Sequence, residues 1–114
     1  MKLVRLLREL FKRQPQAYLV DESDNYQPLN LPVETKIGRS RECHIKVTDN
    51  LHVSREHALI IYDQKARKFI IKDLGSKHGT FVNGTEVKKE EERELKGNDH
   101  IRLGKTCRFT FKIL

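Results

Sequence analysis

The chain has 114 residues and a formal net charge of +7, from 23 Lys and Arg against 16 Asp and Glu. Hydrophobic residues make up 37% and aromatic residues 7% of the sequence, so we expect one domain with an aliphatic core under a highly charged surface. No run is long and apolar enough for a transmembrane helix. The positive charge favours an anionic partner, but it does not distinguish nucleic acid, acidic lipid and phosphorylated protein.

The first 15 residues form a segment of their own. Apolar residues recur there at helical spacing: Leu3, Leu6, Leu7, Leu10 and Phe11. Because Pro15 ends the pattern, the spacing predicts a short, basic, amphipathic helix over residues 1–15. Such a helix can dock on the domain, or it can lie on a membrane or a partner. Charged residues interrupt its apolar stretch, which argues against an export signal.

After Pro15 the helical period disappears, and short strand-like runs alternate with turn signals. The runs are "AYLV", "YQPLNL", "ETKIG", "HIKV", "HALIIY", "KFIIKD", "GTFVN", "TEV", "HIRLG" and "RFTFKIL". In the last run, Phe109, Phe111 and Ile113 alternate with polar residues, so one face can enter a core. The pattern predicts an all-β sandwich or barrel.

Two pairings within this pattern can be predicted. The runs 57–62 and 68–73 are apolar on both faces, which predicts a hairpin in the middle of a sheet. Asn83 and Gly84 separate two other runs, and Asn-Gly is the commonest pair in two-residue turns that need positive φ at both positions. Residues 88–96 are charged without an apolar stripe, and we interpret them as a solvated loop.

The sequence provides little support for catalysis or for a metal. Its five histidines form no HxH or HxxxH pair, and Cys43 and Cys107 form no CxxC pair. Ser54 and His57 stand three residues apart, but nothing indicates the third group that a nucleophilic site requires. We therefore predict no enzyme activity, no metal and no cofactor. Because the two cysteines do not suggest a disulfide framework, we expect a reducing compartment and an intracellular protein, cytoplasmic or nuclear.

Basic residues cluster instead in the predicted loops. Arg39 and Arg41 lie in "IGRSRE", Arg55 in "VSREH" and Lys77 in "GSKHG". An arginine guanidinium binds phosphate through two parallel charge-assisted hydrogen bonds. A hydroxyl such as that of Ser54, together with backbone N–H groups at loop tips, can supply further hydrogen bonds to the phosphate oxygens. The placement of these residues indicates a phosphate-binding surface.

Four motifs follow one another along the chain: "GRS" at 38–40, "SREH" at 54–57, "GSKHGTFVNG" at 75–84 and "LKGNDHIRLG" at 95–104. Their order and intervals resemble the forkhead-associated (FHA) domain family over essentially the whole chain after the N-terminal segment. The resemblance implies an FHA domain over residues 16–114, built as a twisted two-sheet β-sandwich of about 10–11 strands. It further implies that loops at one end bind phosphothreonine in kinase-phosphorylated signalling partners, without catalysing a reaction.

The same resemblance assigns roles to individual residues. Arg39 and Ser54 match the family's phosphate-contacting residues, and Arg55 and Lys77 match loop positions that often add ligand contacts. His78 stands where phosphothreonine-binding members often have an asparagine that holds the peptide main chain. If His78 meets phosphate, its protonation near about pH 6.5 tightens binding. Residues that match loop-shaping positions are Gly38, His57, Gly79, Asn83 and Gly84.

Two other functions stay open at this point. The departure at His78 and the amphipathic segment 1–15 are compatible with a phosphate-independent interaction or assembly domain whose phosphate site is vestigial. Direct nucleic-acid binding through the basic N-terminal segment is disfavoured, because aromatic residues are not interleaved with the basic ones. Membrane contact by segment 1–15 is compatible with its pattern.

Overall fold

The computed structural model describes residues 16–30 and 34–114. The predicted helix over residues 1–15 lies outside the described residues. The described part contains eleven strands and no helix. The strands are β1 (Ala17–Asp21), β2 (Tyr26–Pro28), β3 (Thr35–Gly38), β4 (Ile45–Lys46), β5 (Ala58–Asp63), β6 (Lys68–Asp73), β7 (Thr80–Val82), β8 (Thr85–Glu86), β9 (Arg93–Leu95), β10 (His100–Leu103) and β11 (Cys107–Ile113).

These strands form two sheets. The six-stranded sheet has the order β2-β1-β11-β10-β7-β8, and the five-stranded sheet has the order β4-β3-β5-β6-β9. β3 and β4 pair in parallel, whereas the other pairs with an assigned register are antiparallel. The predicted two-sheet β-sandwich is therefore confirmed, with eleven strands in the described part of the chain.

One hydrophobic core lies between the sheets. Leu19 and Phe111 of the six-stranded sheet and Ile60 and Ile71 of the five-stranded sheet are fully buried there. Alternation in β11 places Phe111 inside as predicted, but Ile113 is 42% exposed because it is the last residue of the strand. Aliphatic residues thus supply most of the core, and burial of their apolar surface is its main stabilising term.

Both predicted pairings are present. β5 and β6 pair along their full length, from Ala58 opposite Asp73 to Asp63 opposite Lys68. Asn83 has φ of 50° and Gly84 has φ of 83°, as a two-residue turn between β7 and β8 requires.

The interpretation of residues 88–96 as a solvated loop was wrong for the last part of the segment. Residues 93–95 form β9, the edge strand that pairs with β6. Leu95 is buried, while Arg93 is half-buried and Glu94 is exposed. A three-residue edge strand with one buried side chain carries almost no periodic signal, and its charged residues are typical of a protected edge.

The strand register brings four loops to one end of the sandwich. In the five-stranded sheet, Ala58 pairs with both Ile37 and Asp73, so the β3–β4, β4–β5 and β6–β7 loops begin or end at the same level. In the six-stranded sheet, Leu103 pairs with Thr80 and Cys107, which places the β10–β11 turn beside the end of the β6–β7 loop. This end carries most of the residues singled out in the sequence.

Within residues 16–30 and 34–114, no helix has the length and hydrophobicity needed to cross a lipid bilayer.

Candidate functional site

Hydrogen bonds between backbone groups and one hydroxyl join the loops at this end. The Arg39 N–H donates to the Ser54 carbonyl at 3.1 Å, and the Lys77 N–H donates to Ser54 Oγ at 3.1 Å. The Gly104 N–H donates to the Gly79 carbonyl at 2.9 Å. Ser54 therefore lies between the β3–β4 and β6–β7 loops, and the β10–β11 turn is attached to the same cluster.

Arg39 and Ser54 present their polar groups at the surface. The Arg39 side chain is exposed, and its Nε donates to the Val53 carbonyl at 2.5 Å, which fixes the direction of the guanidinium. Its two terminal nitrogens are the donors suited to bind an anion. Ser54 is half-buried and its Oγ acts as the acceptor for Lys77, so its hydroxyl proton can still be donated outward.

Gly38 permits this close approach of the loops. It is buried, and a Cβ built on it would lie 2.1 Å from the Arg55 carbonyl oxygen and 2.9 Å from the Ser54 carbonyl oxygen. Backbone atoms cannot move aside as a flexible side chain can. Glycine is required here by steric contact with the β4–β5 loop, and this contact sets the separation between Arg39 and Ser54.

His57 links the β4–β5 and β6–β7 loops from the interior of the domain. It is fully buried; its Nδ1 accepts the Ser54 N–H at 2.9 Å, and its Nε2 lies 2.8 Å from the Gly79 carbonyl. Because Nδ1 accepts, the proton must be on Nε2, which then donates to Gly79. Burial lowers the pKa of His57 below its ordinary value, although the Gly79 carbonyl and the Asp73 carboxylate partly oppose that effect. A neutral imidazole is the form that these two bonds require.

A carboxylate network shapes the β6–β7 loop. Asp73 Oδ2 accepts the N–H groups of Gly75 and Ser76 at 3.0 and 2.9 Å, and Oδ1 accepts the hydroxyls of Ser76 and Thr80 at 2.5 and 2.6 Å. Ser76 Oγ in turn accepts the Gly79 N–H at 3.0 Å. Burial alone raises the pKa of Asp73, but these hydrogen bonds outweigh it, and the net pKa lies below the ordinary value.

We call His57, Asp73, Ser76 and Thr80 the inner network, and Arg39, Ser54, Arg55, Lys77 and His78 the outer rim. Asp73, Ser76 and Thr80 did not stand out in the sequence. Asp73 followed by Gly75 and Ser76 is a pattern typical of a turn capped by an aspartate side chain, and this signal was available. His52 and Lys105, which lie beside the outer rim, were also not predicted.

The remaining members of the outer rim are also accessible at the surface. Arg55 and Lys77 are exposed, and His78 is half-buried. The His78 ring lies against the His52 ring, with centroids 5.0 Å apart. Burial lowers the pKa of His78, and the nearby His52, Lys105 and Lys77 lower it further. The outer rim is therefore a cationic surface rich in hydrogen-bond donors.

Asn83 and Gly84 lie elsewhere. Since Leu103 pairs with Thr80 and Ile101 with Val82, Asn83 is level with His100, at the end of β10 away from the β10–β11 turn. There Asn83 Nδ2 donates to Asp99 Oδ1 at 2.9 Å, and Asn83 Oδ1 accepts the His100 N–H at 2.9 Å. These residues shape the β7–β8 turn, whereas Gly38, His57 and Gly79 belong to the end with the outer rim.

The described part of the chain holds no cluster of three or more His, Cys, Asp or Glu that could bind a metal. The cysteines are not activated nucleophiles. Burial raises the pKa of the Cys43 thiol, whose Sγ lies 3.2 Å from the Arg55 carbonyl, and burial together with Glu22 and Asp21 raises the pKa of Cys107 to about 11. The cationic and hydroxyl side chains of the outer rim are instead suited to bind an anion.

Comparisons with known proteins agree on one family. The family model described as "FHA domain" matches residues 35–104. The sarcolemmal membrane-associated protein of Mus musculus is 28% identical over 100 residues, which cover 83% of this chain and 12% of that protein. This chain spans 12% to 13% of the length of the first curated relatives that it matches.

Solved structures give the same result. Mycobacterium tuberculosis EmbR in complex with a low-affinity phosphopeptide is 31% identical, with a TM-score of 0.76, over 96% of this chain and 28% of that one. A structure from work on phosphothreonine-dependent FHA domain interactions is 30% identical, with a TM-score of 0.71, over 86% of this chain and 94% of that one.

Proposed function

Since the chain belongs to the FHA domain family, we propose that it is a protein-binding module that recognises phosphothreonine in an extended segment of a kinase-phosphorylated partner. It recruits that partner in signalling and catalyses no reaction. This chain covers 12% of the curated relative and 28% of the EmbR chain, so the partners of those proteins are not transferred to it.

The observation that carries this proposal is the convergence of Arg39 and Ser54. They come from different loops, are joined by a backbone hydrogen bond of 3.1 Å, and direct polar groups to the surface. Phosphothreonine carries about −1.5 to −2 charges at pH 7 and three strong acceptor oxygens. The Arg39 guanidinium, the Ser54 hydroxyl and the Lys77 ammonium offer matching charge and donors on a net positive chain. Arg55 and His78 flank them as further contacts to the ligand.

The site is also held in place before any ligand arrives. The inner network holds the β4–β5 and β6–β7 loops together through hydrogen bonds. Within the described residues, no buried side-chain nitrogen or oxygen lacks a hydrogen-bond partner. A preorganised site avoids the entropy cost of ordering loops upon binding.

An intracellular location follows from the same proposal. Cys43 and Cys107 are both free thiols, which is the state expected in a reducing compartment.

A screen of a phosphothreonine peptide library first selects the peptide that binds best. Titration calorimetry with this peptide and with its unphosphorylated twin then tests the function. We expect binding only to the phosphorylated form, and the Arg39→Ala variant to bind about 30-fold more weakly or worse, as at a hot-spot residue. Arg108→Ala is the matched control, because it removes the same charge from an exposed arginine of β11. Its affinity should stay close to that of the original protein.

Equal affinity for both peptides would rule the function out. If partner association survived Arg39→Ala unchanged but required residues 1–14, the phosphate-independent assembly domain would be the better description.

A further inference from the structure

A groove of about 440 Å³ lies at the end of the sandwich opposite the outer rim, between the β5–β6 turn, the β9–β10 loop and the end of β11. Tyr62, Phe69 and Ile113 give it apolar surface, and the exposed Arg67 and Lys96 line its edge. We call these five residues the basal groove. The seven residues of β11 run from the end with the outer rim to this groove, a distance of about 20 Å.

The apolar part of the basal groove continues into the core. The Tyr62 and Phe69 rings have centroids 4.8 Å apart, and the Phe69 and Phe111 rings have centroids 5.1 Å apart. Phe69 is buried, Tyr62 is half-buried and Ile113 is 42% exposed. A tyrosine has an apolar body and a polar tip, so it suits a boundary between water and an apolar phase.

The edge of the basal groove is cationic. Arg67 and Lys96 are exposed, and neither forms an ion pair with another residue of the described part of the chain. Lys68 and Glu94 also line the groove, but they lie 3.7 Å apart, so their charges offset each other. The net charge at the groove is therefore positive.

Two further carboxylates at this end are less accessible than the cations. Asp63 Oδ1 accepts the backbone N–H groups of residues 65 and 66 at 3.0 and 3.1 Å, and Asp99 Oδ2 accepts the Lys96 N–H at 2.8 Å. Both carboxylates are half-buried, whereas the Arg67 and Lys96 side chains are exposed. A partner that approaches this end meets the cations first.

The segment 1–15 joins the domain beside the basal groove. The Gln16 carbonyl accepts the Leu114 N–H at 2.8 Å, and Ala17 pairs with Ile113. The sequence of this segment carries five cations against the single carboxylate of Glu9, and its apolar residues recur at helical spacing. A basic amphipathic sequence is thus attached at the same end as the groove.

Charge selects among three occupants of this surface. If segment 1–15 folded onto the basal groove, it would bring a net charge of +4 against Arg67 and Lys96. A second copy of the chain would bring the same cations together across a symmetric contact. Like charges disfavour both arrangements. An anionic lipid surface attracts the groove and the segment alike, and it accepts apolar side chains between its headgroups.

We propose that the basal groove and segment 1–15 together form a docking surface for an anionic lipid bilayer, on which the domain lies without spanning it. Lipid phosphates contact Arg67 and Lys96, Tyr62 and Ile113 lie at the level of the headgroups, and the apolar residues of the segment enter the bilayer surface. The outer rim then faces away from the lipid and stays open to a phosphopeptide. This inference goes beyond the proposed function and does not depend on it.

Vesicle flotation with the whole 114-residue chain tests the proposal. Vesicles of phosphatidylcholine alone are compared with vesicles that contain about 30% anionic phosphatidylglycerol. We expect binding to the anionic vesicles and little to the neutral ones, with a decrease as salt rises from about 0.05 to about 0.3 M. Soluble glycerol phosphate at the same phosphate concentration should not release the protein, because it provides no apolar surface.

Two charge variants locate the surface. Arg67→Ala/Lys96→Ala should bind anionic vesicles about 10-fold more weakly or worse, because each cation near such a surface strengthens binding about fivefold. Lys46→Ala/Arg108→Ala is the matched control, since it removes the same charge from exposed positions of β4 and β11 near the outer rim. Its binding should change less than about twofold, because these positions lie beyond a Debye length from the lipid.

Two further measurements separate the segment from the groove. Leu6→Gln/Leu10→Gln should bind at least about 10-fold more weakly, because it removes apolar surface from the amphipathic pattern. Amide hydrogen exchange at residues 64–68 and 96–98, on the two loops of the basal groove, should slow on anionic vesicles and not on neutral ones. Arg39→Ala should bind vesicles as the original protein does, so this test is independent of phosphopeptide binding.

Three results would overturn the inference: no binding to anionic vesicles, release by glycerol phosphate, or unchanged binding of Arg67→Ala/Lys96→Ala. The last result would mean that segment 1–15 binds lipid alone. A lower denaturation midpoint for Leu6→Gln/Leu10→Gln without loss of vesicle binding would instead identify the segment as the occupant of the groove. A dimer that this variant dissociates, again with vesicle binding unchanged, would identify a second copy.

Discussion

The inner network and the outer rim lie in the same loops, but their polar groups are used differently. In the inner network, His57 and Asp73 make paired hydrogen bonds to backbone and hydroxyl groups, and Thr80 is fully buried. In the outer rim, Arg39 uses one guanidinium nitrogen internally and Lys77 contributes its backbone N–H. Folding therefore satisfies the hydrogen bonds of the inner groups, whereas the outer side chains are the ones proposed above to contact a ligand. We expect inner substitutions to lower stability and outer ones to lower affinity.

Gly38 supports both regions, and its replacement should give the largest effect. Gly38→Ala places a Cβ 2.1 Å from the Arg55 carbonyl oxygen, so we expect a loss of about 3 kcal/mol in the free energy of unfolding. Urea denaturation measures this loss. Gly97→Ala is the control, since the nearest atom to its added Cβ is 4.0 Å away. A Gly38→Ala variant as stable as the original protein would mean that the two loops are not in contact.

Asp73→Ala tests the inner network. Removing the carboxylate leaves the Ser76 and Thr80 hydroxyls and two backbone N–H groups without their acceptor, which should cost about 2–3 kcal/mol of stability. Glu92→Ala removes an exposed carboxylate that pairs with Lys72 at 3.0 Å, and it should cost about 0.5 kcal/mol or less. Similar denaturation midpoints for the two variants would contradict the distinction between buried and exposed groups.

Ser54→Ala tests the outer rim. We expect phosphopeptide affinity to fall by about 1.5–2 kcal/mol, because a hydrogen bond to a charged phosphate is lost. Thermal stability should change little, since the Lys77 N–H is exposed and can bond to water instead. The exposed Ser23→Ala, in the β1–β2 turn, controls for loss of a hydroxyl. A large fall in melting temperature with unchanged affinity would place Ser54 in the inner network.

The smallest effect concerns pH and His57. The folded-state pKa of His57 is lowered, so the unfolded chain binds more protons below about pH 6.5. The stability that His57 contributes is fully present above that pH and declines as the pH falls toward the folded-state pKa. Ring ¹⁵N chemical shifts should show that His57 titrates below about pH 6.5 and that its neutral form carries the proton on Nε2. Titration of His57 at or above pH 6.5 would contradict this.

Much of the fold was predictable because its signals are local. Three elements could be predicted from a few neighbouring residues each. They are β11 with its alternating pattern, the β5–β6 hairpin with its apolar runs, and the Asn83–Gly84 turn. β9 was missed because its pairing with β6 buries only Leu95. Its strand character comes from the neighbouring strand rather than from its own sequence.

The candidate site stays a prediction, and it was named from the order of motifs along the chain rather than from local patterns. Arg39, Ser54 and Lys77 were named from motif order. His57 was matched to a loop-shaping position, and its hydrogen bonds to the backbone of Ser54 and Gly79 agree with that match. Gly38 was matched only to a loop-shaping position, and its close contact with the Arg55 carbonyl could not be predicted from the sequence. The approach of His52 to His78 depends on two loops meeting in space, and no local pattern encodes it.

The Gly79 carbonyl oxygen links the two sheets at the end with the outer rim. It accepts from His57, which leads into the five-stranded sheet, and from Gly104, which follows β10 of the six-stranded sheet. One oxygen atom thus joins both sheets beside the outer rim. Release of this oxygen requires both hydrogen bonds to break, so a phosphopeptide bound at the outer rim should slow amide hydrogen exchange in both sheets.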